Sequence, residues 1–133
     1  MAENIMITNV YHCKGNIAII GACLEQVSPK GYEEITAGMN QVYTLCLEDT
    51  HINMAVTKIA AILGTNQISS IRFASVDRSP HCTQMHYIKH EIERTMPSHP
   101  PIEDFVVVDD RVIKVSDKAI DMSKSLAKLA GIY

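Results

Sequence analysis

The chain contains no tryptophan, and glycine and proline are scarce, at six and five in 133 residues. Such scarcity excludes collagen-like and low-complexity chains, and with 47% apolar residues the sequence should fold. No apolar stretch reaches the roughly 18–20 residues a membrane-crossing helix needs. The opening Met1-Ala2-Glu3-Asn4 is polar and acidic, unlike a signal or transit peptide, so a cytoplasmic protein is expected. Net charge is −3 with both signs mixed along the length, and no basic face marks a nucleic-acid partner. No Cys-x-x-Cys pair occurs, which removes zinc-ribbon, thioredoxin and ferredoxin spacings. Gly15, Gly21 and Gly38 compose neither a dinucleotide nor a P-loop fingerprint. No repeat or second-domain boundary is visible, so residues 1–133 read as one α/β domain.

What the sequence does have is an alternation of apolar runs and helical periods. Ile5 to His12 and Ile17 to Ala22 read as two strands forming a hairpin across Lys14-Gly15-Asn16. Ser28-Pro29 opens a short helix ending near Gly38, and Gln41 to Leu47 is a strand. Glu48-Asp49-Thr50-His51 is a capping cluster, with Asp49 the expected cap, before a helix over Ile52 to Leu63. Ile71 to Val76 is a strand, followed by one helix from about His81 to Met96 with Met85, Ile88 and Ile92 inward. Phe105 to Val108 and Arg111 to Val115 form a hairpin across Asp109-Asp110. A last helix should bury Ala119, Met122, Leu126, Leu129 and Tyr133. This order predicts a three-layer domain: a mainly parallel sheet of about five to six strands, covered by helices, with the first and last strands as antiparallel edges.

Three of the four cysteines follow predicted strands: Cys23, Cys46 and Cys82. In an open parallel sheet the carboxyl ends of strands share one edge, where ligands bind. Cys13 falls at the opposite edge. Asp49, His51, Asp77, Arg78, Ser79 and His81 join the cysteines at the carboxyl edge. Thiolates and imidazoles suit zinc and iron–sulfur clusters, so Cys23, Cys46 and Cys82, with His51 or His81, form a candidate metal set. Reduced cysteines also pack as small buried hydrophobes, which is the competing role, above all for Cys46.

Ser79-Pro80-His81-Cys82 is the sharpest local motif. A cysteine in a first helical turn, near His81 and Arg78, is a candidate nucleophile or redox thiol, with His81 as base and Asp77 orienting it. Arg78 and Ser79 could instead hold a phosphate or carboxylate there. His86, His90 and Glu93 share a helical stripe and read as a solvated flank.

Cys46-Leu47-Glu48-Asp49-Thr50-His51-Ile52-Asn53-Met54-Ala55, together with Ser79-Pro80-His81-Cys82 and Glu91-Ile92-Glu93, resembles small α/β proteins of anaerobic microbes. Some of those carry an iron–sulfur or ferredoxin-like label. The resemblance covers the middle third of the chain and implies a redox or metal-linked role. The expectations are therefore a metal- or cluster-binding accessory protein with a redox partner, an enzyme using the Cys82 thiolate, or a non-catalytic subunit. In the last case the seven methionines and the terminal Gly131-Ile132-Tyr133 would serve contacts in a homo-oligomer.

Overall fold

The computed structural model describes residues 2–131. Its strands are β1 (Glu3–Asn4), β2 (Gly15–Gly21), β3 (Gln41–Leu45), β4 (Ile68–Val76), β5 (Ile102–Val108) and β6 (Arg111–Val115). The α-helices are α1 (Leu24–Val27), α2 (Pro29–Thr36), α3 (Ile52–Gly64), α4 (Pro80–Met85), α5 (Tyr87–Thr95), α6 (Asp117–Ser123) and α7 (Leu126–Leu129).

Strand β2 shows why the sheet is covered on both faces. Ile17 and Ile19 enter one apolar cluster with α3, α4 and α5, while Ala18 and Ile20 enter a second with Leu24 and Ile35 of α1 and α2. A strand buried on both sides reads as a continuous apolar run, which is what Ile17 to Ile20 supplies. Each isoleucine so buried contributes about 1.5–3 kcal/mol relative to exposure.

One six-stranded sheet results, in the order β1-β3-β2-β4-β5-β6. All neighbours are parallel except the β5–β6 hairpin. Its turn places Asp109 and Asp110 at φ 48° and 63°, the left-handed pair that a two-residue hairpin turn requires. From β2 the chain moves outward to β3, then returns past β2 to β4. Right-handed crossovers in opposite directions put their helices on opposite faces, as observed. The reversal leaves a crevice between the carboxyl ends of β2 and β4, the place where such sheets bind ligands.

Several sequence expectations are corrected. Ile5 to His12 is not a strand: Asn4 and Asn9 each accept a backbone N–H two residues on, at 2.9 Å, and fold the segment into two 3-10 turns. The first edge is therefore a two-residue strand running parallel to β3, and no hairpin precedes β2. The predicted helix 81–96 breaks at His86 into α4 and α5. The last helix likewise splits, because Ser125 accepts the Lys128 N–H and starts α7. Only Ile120 is buried there, with Leu126 and Leu129 exposed, and Tyr133 lies outside the described residues. Lys89 donates to Asp117 at 2.7 Å, tying α5 to α6 and holding the Asp117 carboxyl below its ordinary range. No described helix is long and apolar enough to cross a membrane.

Candidate functional site

Each of the three strand-end cysteines is fixed by local backbone structure. Cys23 is the residue before α1, and its carbonyl accepts the Val27 N–H at 3.0 Å. Cys46 follows β3 in a turn whose Asp49 and Thr50 N–H groups both donate to its carbonyl. Cys82 lies in the first turn of α4, with its N–H donating to the Ser79 hydroxyl at 3.4 Å.

These separate elements deliver the three thiols to one cavity of about 170 Å³. Cys23, Cys46 and Cys82 line it together with Ser79, His81 and Met85. The sheet order β3-β2-β4 sets Cys23 between the other two. Burial raises the Cys23 thiol above its ordinary value, and the Cys82 charge and hydrogen bond push it further up. Its own backbone hydrogen bond works the other way, and Cys46 adds the smallest upward push. Cys23 is an exposed residue, while Cys46 and Cys82 are half-buried. Cys13 is fully buried at the other end of the sheet.

His81 joins the cavity with its Nδ1 3.0 Å from Glu48 Oε1. A carboxylate on Nδ1 selects the tautomer that leaves the Nε2 lone pair available, the arrangement used to orient metal-binding histidines. The carboxylate facing His81 is thus Glu48, where the sequence suggested Asp77. His51, the other histidine expected near the metal, is instead the N-cap of α3. Its Nδ1 accepts the Asn53 N–H at 3.1 Å, the capping role expected of Asp49, and it does not line the cysteine cavity.

Arg78 and Ser79 line different cavities. Arg78, at φ 71°, lines a neighbouring cavity of about 530 Å³ with Asp77, Asp109 and Asp110, while Ser79 caps α4. The larger cavity is thus lined by one basic and three acidic residues.

A buried network beneath α4 has no counterpart in any local sequence pattern. His86, expected on a solvated flank, is 4% exposed at the break between α4 and α5. Its Nδ1 is 2.7 Å from Asp104 Oδ1 and its Nε2 2.7 Å from Ser75 Oγ. A carboxylate only accepts, so Nδ1–H donates to Asp104, and in the neutral ring Nε2 accepts the Ser75 hydroxyl. The atom order is that of an acyl-transfer triad, but Ser75 is 1% exposed and lines none of these cavities. The network instead braces the helix that carries Cys82 against β4 and β5.

Among the described residues, no three His, Cys, Asp or Glu side chains already stand in metal-holding geometry. The thiols share a cavity without converging on one point. No curated protein and no solved structure matches the chain. The βα turn after β2 reads Gly21-Ala22-Cys23 and lacks a glycine-rich phosphate loop. The strand order and crevice accord with a family model that matches residues 11–130, and the chain belongs to the Rossmann-like domain family.

Proposed function

We propose that this domain binds a soft or borderline metal, as a zinc ion or an iron–sulfur cluster, through Cys23, Cys46 and Cys82. The observation that carries the reading is the arrival of three thiols from three separate strand ends in one small cavity. Thiolate sulfur favours such metals over magnesium or calcium. His81 is the fourth donor of a tetrahedral zinc set; for a cluster, three thiolates leave one metal position open. The role that follows is redox or accessory metal chemistry with a redox partner, in keeping with the labels carried by the proteins the sequence resembles.

The test is metal and acid-labile sulfide analysis, with a visible spectrum, on protein purified without oxygen. Stoichiometric zinc, or iron with sulfide, that is lost in Cys82→Ala and Cys46→Ala is the expected result. Metal-free protein after reconstitution would overturn the reading.

A second reading has its own observation, the Glu48–His81 pair beside Cys82 in the same cavity. A carboxylate-held imidazole next to a thiol is the arrangement of a cysteine nucleophile and its base. It predicts rapid alkylation of Cys82 alone at neutral pH, slowed at least tenfold in His81→Ala and unaffected by Cys46→Ala. Equal reactivity of all the edge thiols would count against it.

A further inference from the structure

The Cys82 sulfur rests against the end of β2, the strand that leads into Cys23. A Cβ built on Gly21 would lie 3.1 Å from Cys82 Sγ, so the absent side chain is what lets this sulfur rest against the end of β2. Gly21 is two residues before Cys23, and both cysteines line the same cavity. In keeping with that placement, Cys82 raises the Cys23 thiol more than Cys46 does. Cys23 is also exposed, within reach of a reagent in solution, while Cys82 is half-buried.

We propose that Cys23 and Cys82 form a reversible disulfide by exchange with small-molecule disulfides, and that this bond closes the metal site. The inference rests on the thiol cluster of the preceding reading and adds its regulation. In the first step the Cys23 thiolate attacks one sulfur of the external disulfide, forming a mixed disulfide and releasing one thiolate. The Cys82 thiolate then attacks the Cys23 sulfur, breaks its bond to the external sulfur and releases the second thiolate. Two protein thiols lose two electrons, the external disulfide gains them, and the two protons leave with the released thiols. The product retains only Cys46 as a thiolate donor, too few to hold the metal. Excess small thiol reverses both steps.

The experiment equilibrates metal-free protein, stripped with chelator under nitrogen, in mixtures of reduced and oxidised glutathione. The samples are then alkylated and the peptides mapped by mass spectrometry. The expected product is one Cys23–Cys82 disulfide with Cys46 and Cys13 alkylated, formed equally in Cys46→Ser and absent in Cys23→Ser. Cys23 and Cys82 alkylated at every ratio, or Cys23 bonded to Cys46, would overturn the proposal. Zinc-loaded protein should form the bond at least tenfold more slowly, and equal rates would overturn the closing of the site. A wild-type chain that forms the bond but takes up no metal supports the disulfide and overturns the metal reading alone.

Discussion

Replacing His86 with alanine should lower the melting temperature by roughly 10–20 °C, the largest stability loss of any single polar substitution in the core. The imidazole bridges Ser75 on β4 and Asp104 on β5 from the junction of α4 and α5, with all three residues at most 4% exposed. Removing it strands a buried carboxylate, of which Oδ2 already lacks a hydrogen-bond partner among the described residues. A buried charge left without its partner costs about 3–5 kcal/mol. At about 3–4 °C per kcal/mol for a domain of this size, the expected shift follows. Replacing both members with leucine should recover part of that loss, because no charge is then left buried without a partner. Thermal melts of His86→Ala and of the His86→Leu, Asp104→Leu double variant measure both. A double variant no more stable than the alanine variant would mean that the network is not the brace described here.

Valine at Gly21 should weaken metal binding on the order of 10–100-fold, the range found when the groups supporting a metal site are altered. Even the first carbon of the new side chain would approach Cys82 Sγ to 3.1 Å, and valine adds two methyl groups beyond it. The sulfur sits at the end of a one-torsion side chain, so it can swing aside more easily than β2 can move. Stability should therefore fall by no more than the ~1–3 kcal/mol typical of an overpacked core, while the donor set loses its geometry. Metal titration beside a thermal melt separates the two effects. Unchanged affinity in a folded Gly21→Val protein would show that Cys82 need not lie against β2 to bind.

The central sheet and the cysteine edge were legible in the sequence because each rests on a short-range pattern. Ile17 to Ile20 announces a doubly covered strand, and Ser28-Pro29 and Gly64 mark helix boundaries that the structure keeps within a residue. Placing Cys23, Cys46 and Cys82 on one edge needed only the alternation of strands and helices. Their meeting in one cavity needed strand order, which no local pattern encodes. The 5–12 segment misled because its branched apolar residues favour strand, while Asn4 and Asn9 supply side-chain oxygens that close turns instead. His86 was misplaced for a different reason. A continuous helix would carry it on the flank with His90, and the break at that residue turns it toward two strands distant in sequence. Buried polar partners such as Ser75 and Asp104 leave no periodic trace. Glu48 was hidden in the same way, since its pairing with His81 spans 33 residues of chain.

The most direct test is an anaerobic cadmium titration of the wild-type chain and of four single variants, Cys13→Ala, Cys23→Ser, Cys46→Ser and Cys82→Ser, followed by thiolate-to-metal charge-transfer absorption. The account predicts one tight site per chain that survives in Cys13→Ala and is lost in each of the other three. Tight binding retained in any of those three, or lost as well in a folded Cys13→Ala protein, would contradict a site built from the three strand-end thiols.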